Sequence, residues 1–163
     1  MRILWALAIG LALAGSVAAQ SAAKADIKNA QGQSIGSAVL TETPHGVLLS
    51  VNLTNAPAGP HAFHLHAVGK CEAPFTSAGG HLNPAGKKHG LKSAEGPHAG
   101  DLPNITVPAG GALTFEVLAP GVTMASVLDA DGAAVVLHAG ADDYTSDPAG
   151  AAGDRIACGV VSK

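Results

Sequence analysis

Charged and aromatic side chains are both scarce in this chain. Of its 163 residues only 13% are charged and 3% are aromatic. Nine Lys and Arg residues face 12 Asp and Glu residues, which gives a formal net charge of −3 at pH 7. A mildly acidic chain without a basic tract is a poor candidate for binding nucleic acid. Nucleic acid is therefore excluded as an expected partner.

Long apolar runs are also missing, except at the start of the chain. Arg2 precedes an apolar run from Ile3 to Leu13, and small residues follow at 14–19. This order is typical of a secretory signal peptide that is cleaved just before Gln20. The alternative is a transmembrane anchor, but a spanning helix needs about 20 apolar residues. We therefore expect residues 1–19 to be a signal peptide, and the mature chain to be exported without a membrane anchor, with a periplasm as the expected destination.

Cysteine is limited to Cys71 and Cys158. In an exported protein one disulfide can form and persist, whereas the alternative is two unrelated buried thiols. The predicted export favours the disulfide.

Helical periodicity is absent beyond residue 19, and alternation of apolar residues takes its place. Val47, Leu49, Val51 and Leu53 recur at every second position, and the turn-forming residues 43–46 precede them. This pattern predicts a hairpin between residues 36–42 and 47–54.

Further alternating runs separated by glycine-rich turns lie at residues 62–66, 113–118, 133–138 and 156–161. Short strands with frequent turns indicate an all-β fold, here a Greek-key β-sandwich or barrel of about eight antiparallel strands. We expect residues 20–34 to be a loose N-terminal segment and residues 35–163 to form the domain.

Two stretches, residues 67–104 and 139–155, are long, glycine-rich and weakly periodic. Long loops in a compact domain are usually functional. The first stretch contains three of the eight histidines. These two loops are where a functional site is expected.

A histidine pair precedes the first loop. His64 and His66 alternate with Phe63 and Leu65, so in a strand both rings project from one face while the apolar residues enter the core. Two imidazoles placed in this way can chelate one metal ion. Surface pairs of this kind without a metal are common, so the pair alone does not establish a site.

The first loop strengthens the case. His81, His89, His98 and Asp101 are spaced eight, nine and three residues apart. Three imidazoles and one carboxylate form a complete tetrahedral set for zinc with no position left for water. A closed site of this kind is structural, and it would clamp a loop that has little core of its own.

These motifs resemble those of the copper,zinc superoxide dismutase family. The segment 59–66, GPHAFHLH, is similar to the family's copper-binding motif, although Ala62 stands where the family usually has glycine. Residues 77–84 resemble the segment of the bridging histidine, and residues 88–90 and 98–102 resemble the zinc loop. Residues 136–143 and 155–160 resemble the C-terminal motif. The resemblance covers residues 35–161 and implies the family's Greek-key fold.

The resemblance implies one copper ion and one zinc ion per subunit. Copper would be bound by His64, His66, His81 and His138, and zinc by His81, His89, His98 and Asp101. His81 would serve both metals as a bridging imidazolate.

Further roles are implied in the same way. Asp142 would accept hydrogen bonds from His66 and His89, and Cys71 and Cys158 would form the family disulfide. Arg155 would lie beside the copper and attract the anionic substrate, superoxide. His61 is interpreted as a strand residue that orients the copper loops.

Three questions stay open at this point. The rival function is a non-enzymatic copper or zinc carrier of the same fold, but a copper(I) carrier favours Cys and Met ligands, and Met124 is the only methionine after the predicted signal peptide. Lys70, Lys87, Lys88 and Lys92 either steer the substrate or form an ordinary solvated surface. The resemblance is compatible with a monomer and with a homodimer. Within the family, the loop between Asp143 and Arg155 resembles that of the bacterial exported members.

Overall fold

A computed structural model describes residues 22–163, so the predicted signal peptide lies outside the described residues. Within them the structure is all-β, as predicted, with one 3-10 turn (Thr76–Ala78) and one short helix, α1 (Met124–Val127). The nine strands are β1 (Ala22–Asn29), β2 (Ser34–Thr43), β3 (Gly46–Leu53), β4 (Gly59–His61), β5 (Phe63–His66), β6 (Ile105–Val107), β7 (Leu113–Pro120), β8 (Ala134–His138) and β9 (Arg155–Val160).

Seven of these strands form one antiparallel sheet in the order β5-β8-β9-β1-β2-β3-β7, and β4 pairs with β6 in a second small sheet. The connections from β3 to β5 and from β7 to β8 lead from one end of the strand order to the other. Long return connections of this kind define Greek-key topology. They also leave room for the two long loops beside β5 and β8.

The predicted β2–β3 hairpin is confirmed, with Thr43 opposite Gly46 at its turn. Val47, Leu49, Val51 and Leu53 are all buried in the main core. Alternate residues of a strand point to one side of a sheet, so this single period-2 pattern places one whole face of β3 inside.

The N-terminal segment differs from its prediction as a loose start. Residues 22–29 form β1, which pairs with β2 along its length and with β9 at its end. Ala23, Ala25 and Ile27 alternate into the core. Alanine has a weak strand preference and a small apolar surface, so the pattern is faint in the sequence, and pairing on both sides decides the conformation.

Strands β5 and β8 carry the histidines. Phe63 and Leu65 of β5 enter the core, while His64 and His66 project from the opposite face. The two strands pair with Phe63 opposite Leu137, so His138, the neighbour of Leu137, emerges on the same face as His64. The long loops cover this face, and the histidines there are buried.

The predicted disulfide between Cys71 and Cys158 is confirmed, and it joins residues 87 positions apart. Cys158 lies on β9, whereas Cys71 lies in the first long loop, where Phe75 and Ala78 pack with it against Val136. The bridge therefore ties this loop to the outer face of the sheet. Among residues 22–163, none of the helices has the length and apolar character needed to cross a membrane.

We expect the double variant Cys71→Ala with Cys158→Ala to lower the free energy of unfolding by about 4 kcal/mol, because the bridge restricts a long loop of the unfolded chain. Guanidinium unfolding of metal-free protein, compared with the oxidised wild type, measures this change. An unchanged midpoint and slope would contradict the prediction.

Candidate metal centre

Two groups of potential metal ligands lie side by side on the outer face of β5 and β8. The ligand atoms of each group lie within 4.8 Å of one another, and every member is buried. The first group contains His64, His66, His81 and His138, and the second contains His81, His89, His98 and Asp101. The structure thus brings together all seven residues that the sequence singled out, and His81 belongs to both groups.

Backbone pairing along β5 positions the first loop. His64 bridges to Asp101 and His66 bridges to His81, so the loop returns twice beside the strand. The Leu65 N–H donates to the Gly100 carbonyl over 3.0 Å. A Cβ on Gly100 would overlap the Leu65 carbonyl oxygen, so this approach requires glycine. The loop therefore delivers ligands to both groups through main-chain contacts.

The two ring nitrogens of His81 face different surroundings. Its Nδ1 lies 2.7 Å from Asp101 Oδ1, within the second group. Within residues 22–163, only His81 Nε2 and His64 Nδ1 are buried side-chain nitrogen or oxygen atoms without a hydrogen-bond partner. Buried polar atoms are normally satisfied, and a metal ion in the first group would satisfy both. The donor set therefore fits a metal there.

Asp101 is the centre of the second group. Its Oδ1 lies 3.0 Å from His89 Nδ1 and 3.2 Å from His98 Nδ1, in addition to its contact with His81. Its Oδ2 accepts hydrogen bonds from the backbone N–H groups of Gly90 and His98. Burial raises the pKa of this carboxyl, but the bonds from His81 and Gly90 outweigh burial and lower it to about 2. The anionic form that zinc requires is thus favoured.

Asp142 connects the two groups, although not as expected. The sequence analysis assigned its hydrogen bonds to His66 and His89, whereas Oδ2 lies 3.0 Å from His64 Nε2 and Oδ1 lies 3.0 Å from His89 Nε2. His66 instead directs Nδ1 to the Gly79 carbonyl, 2.9 Å away. His64 and His66 share one strand face, and only the path of the second loop decides which ring the carboxylate reaches.

The second loop folds tightly over Asp142. Gly150 has a φ of +67°, and a Cβ there would overlap Asp142 Oδ1 and crowd His89 Nε2. Asp143 accepts bonds from the backbone N–H groups of Thr145 and Ser146, which closes the turn that leads to Gly150. This backbone cover excludes side chains from the space above the Asp142–His89 hydrogen bond.

Arg155 lies next to the first group. Its guanidinium donates to the carbonyl oxygens of Phe75 and Gly79, each over 2.7 Å, and does not pair with its neighbour Asp154. The Gly79 carbonyl also accepts the bond from His66, so arginine and histidine share one acceptor. Arg155 is half-buried, and burial lowers its pKa from its ordinary value.

Burial keeps three histidines of the first group, His66, His81 and His138, uncharged. Desolvation, followed by the charge of a neighbouring histidine, lowers the pKa of His66 to about 2 and that of His138 to about 3. Desolvation also lowers the pKa of His81 to about 4, although bonding to Asp101 opposes it. Neutral imidazoles retain a lone pair for a metal, so these rings are prepared as ligands at neutral pH.

The remaining predicted residues belong to neither ligand group. His61 is buried, with Nδ1 2.8 Å from the His138 carbonyl oxygen and Nε2 3.0 Å from that of Pro57. The four loop lysines are exposed. Lys88 lies 3.5 Å from Glu95, and Lys92 lies 5.3 Å from the centre of the Tyr144 ring.

The sequence analysis missed Asn104 and Tyr144. The Asn104 side chain binds both the N–H and the carbonyl of Asp142, and the Tyr144 hydroxyl accepts the Asn104 N–H. The only available signal was a polar residue directly before a strand and the single tyrosine of the chain. Neither indicates a contact with a particular loop.

Comparison with known families supplies an independent line of evidence. A family model described as copper/zinc superoxide dismutase (SODC) matches residues 34–161. Superoxide dismutase (Cu-Zn) 1 of Aquifex aeolicus is 50% identical over 153 residues, which cover 90% of this chain and 90% of that protein.

Solved structures agree with this match. A SOD-like protein from Bacillus subtilis superposes with a TM-score of 0.79 at 34% identity, covering 84% of this chain and 96% of that one. The Cu/Zn superoxide dismutase from Brucella abortus superposes with a TM-score of 0.73 at 29% identity, covering 86% and 99%.

We expect the metal-free protein to lose stability as the pH falls from 6.5 to about 4. His66, His81 and His138 have pKa values lowered by folding, so the unfolded chain binds protons more readily in this window and acid favours it. Each ring contributes up to about 1.4 kcal/mol per pH unit. Urea unfolding at several pH values measures the slope.

The variant His138→Gln removes one of these rings and should make the slope shallower. A free energy of unfolding that stays constant between pH 7 and pH 5 would contradict the prediction. Below pH 4 the loss continues, because the pKa values of His66 and His138 lie still lower and because the pKa of Asp101 is also lowered by folding, so the unfolded chain binds more protons at all three residues.

Proposed function

Because the chain belongs to the copper/zinc superoxide dismutase family, it is a superoxide dismutase with copper and zinc as cofactors, and we propose which residues hold each metal. The first ligand group takes copper through His64, His66, His81 and His138. The second takes zinc through His81, His89, His98 and Asp101. The observation that carries this assignment is His81, whose two ring nitrogens face the two groups separately.

The chemistry of the donor atoms supports this assignment of copper to the first group and zinc to the second. The first group offers imidazoles alone, which suit copper, whereas the second adds a carboxylate with a strongly favoured anionic form, which suits zinc. Copper, when bound, supplies one-electron chemistry that oxidises one superoxide to dioxygen and reduces a second to hydrogen peroxide with two protons. Three imidazoles and one carboxylate leave no open position, so the second group has a structural role.

The imidazole ring of His81 can exchange a proton at Nε2 while its Nδ1 remains directed toward Asp101. Its position between the two groups limits rotation of the ring. A proton held at Nε2 therefore lies within the first group, next to His64 and His66, where the substrate reacts. Asp142 restrains the two neighbouring rings of His64 and His89 from behind.

Arg155 binds and orients the anionic substrate. Both of its hydrogen bonds within the protein go to neutral carbonyl oxygens, so its positive charge is not cancelled by a carboxylate there. Carbonyl acceptors fix the guanidinium beside His66 and leave its charge available to an anion. The exposed loop lysines would add a weaker attraction at longer range.

The place of action proposed here is the periplasm. The disulfide between Cys71 and Cys158 fits an oxidising compartment. The sequence of residues 1–19 has the layout of a cleaved signal peptide. An intact mass of the exported protein that begins near Gln20 would support this location, whereas a mass that includes Met1 would contradict it.

The non-enzymatic alternative raised from the sequence is set aside. Both ligand groups are complete in this chain, Arg155 is present beside the first group, and the matching relatives include proteins named superoxide dismutase. Metal analysis combined with a superoxide-decay assay on the mature protein tests the proposed function directly. Protein loaded with both metals that does not accelerate the decay would overturn it.

Replacing Arg155 by Ala should lower kcat/KM about tenfold or more and leave the metal content unchanged, because the residue acts on the anion and not on the metals. Arg155→Lys keeps the charge without the paired donors and should retain intermediate activity. Superoxide decay measured across ionic strengths checks both variants. Wild-type rates for Arg155→Ala at low ionic strength would contradict the role.

His81 and His89 separate the two metal assignments. His81→Ala should weaken both sites, whereas His89→Ala should weaken zinc and spare copper, because only His81 belongs to both groups. Cobalt(II) placed in the zinc site of the wild type should couple magnetically to copper(II) through the shared ring. An uncoupled copper spectrum in the fully loaded derivative would overturn the shared role of His81.

A further inference from the structure

Asp142 is held by its backbone as well as by its side chain. Its N–H donates to Asn104 Oδ1 over 2.8 Å, and its carbonyl accepts from Asn104 Nδ2 over 2.8 Å. One amide side chain thus forms hydrogen bonds with both the backbone N–H and the carbonyl of Asp142, as the backbone of a neighbouring strand would. This pair of bonds fixes the peptide planes on both sides of Asp142, and with them the direction of its Cα–Cβ bond.

Tyr144 closes the arrangement into a ring of contacts. Its hydroxyl accepts the Asn104 N–H over 2.7 Å, and its own N–H donates to Asp142 Oδ1 over 2.6 Å. The residue has a φ of 67°, a conformation that non-glycine residues rarely adopt. That conformation lets the backbone of Tyr144 face Asp142 while its side chain reaches back to Asn104.

Asn104 is itself fixed to the rigid part of the site. It lies three residues after Asp101 and directly before β6, where Ile105 pairs with His61 of β4. The backbone carbonyl of Tyr144 also accepts a hydrogen bond from the backbone N–H of Lys92, in the first long loop, over 3.0 Å. Asn104, Asp142 and Tyr144 therefore connect the two long loops to each other and to β6. The carboxylate of Asp142 extends from this connection to His64 and His89.

We propose that Asn104 and Tyr144 are positioning residues that set the Asp142 carboxylate between His64 and His89 and thereby tune the affinity for zinc and the geometry of the copper site. Neither residue is among the candidate ligands, and both act through Asp142. The inference rests on the proposed function, because it takes these histidines to be metal ligands.

A purely structural role makes a different prediction. If Asn104 and Tyr144 only tied two loops together, their loss would lower the stability of the metal-free and zinc-loaded proteins equally. If they position Asp142, their loss also weakens zinc binding, and the stabilisation gained on adding zinc falls because it depends on the dissociation constant. The difference between the two melting temperatures at a fixed free zinc concentration separates the two roles.

The experiment uses the mature protein with three substitutions. Asn104→Ala removes both side-chain bonds to Asp142, and Tyr144→Phe removes only the hydroxyl. Asn55→Ala is the matched control, because Asn55 is exposed at the bend after β3, its side chain donates a hydrogen bond to the exposed Thr54 hydroxyl, and it belongs to neither ligand group. Zinc affinity is measured by competition with a chelator, and the copper(II) site by its electron paramagnetic resonance spectrum.

We expect Asn104→Ala to weaken zinc binding about tenfold, since outer partners of metal-ligating residues typically have effects of this size or larger. Its copper(II) spectrum should also change, because His64 binds the same carboxylate. Tyr144→Phe should change both readouts in the same direction by a smaller amount, and it decides the question if Asn104→Ala does not fold. Asn55→Ala should match the wild type.

Two outcomes separate this inference from the proposed function. Wild-type protein that binds both metals, together with variants of unchanged zinc affinity and copper spectrum, would overturn the positioning role alone. Wild-type protein that takes up neither metal would overturn the ligand assignment, and the inference would fall with it.

Discussion

Six histidine rings and two carboxylates are buried together on the outer face of β5 and β8, and the rest of the structure depends on how they pair. An unpaired charge or polar group in such a place has a high free-energy cost. Asp101 and Asp142 avoid it because ring nitrogens and backbone N–H groups surround their oxygens. In the first group His64 Nδ1 and His81 Nε2 have no hydrogen-bond partner, and a metal ion there would satisfy both.

The fixed conformation of the long loops follows from this pairing. Both loops have few large apolar side chains, and only Leu82 and Leu102 of the first loop bring large aliphatic side chains into the main core among the described residues. Polar links supplement this burial: Asp101 contacts three histidines of the first loop, and Asp142 joins the second loop to β5. The disulfide adds a covalent link at the other end of the first loop. Under the proposed assignment, the side chains that order the loops are also the metal ligands, which couples loop stability to metal binding.

The first ligand group and Arg155 are linked through His66. Its ring belongs to the first ligand group, which we propose binds copper, while the Gly79 carbonyl that accepts its hydrogen bond also accepts one from Arg155. Under the proposed function, a copper ligand and the residue that attracts the substrate therefore share one backbone acceptor. The guanidinium is fixed without a carboxylate partner in the described structure, so its positive charge remains effective toward an anion in a partly buried place.

The sequence by itself determined the all-β class and the β2–β3 hairpin through strand alternation, the disulfide through its two cysteines, and the second ligand group through residue types and short spacings. The first ligand group, with His81 and His138, was implied by the resemblance of its motifs to a known family. The sequence did not reveal β1, since Ala23 and Ala25 are too small to mark a strand. Only the tertiary structure decided that Asp142 binds His64 instead of His66, and that Asn104 and Tyr144 hold it. His64 and Asp142 are 78 residues apart, and the path of a loop over such a distance is set by packing, which no local pattern records.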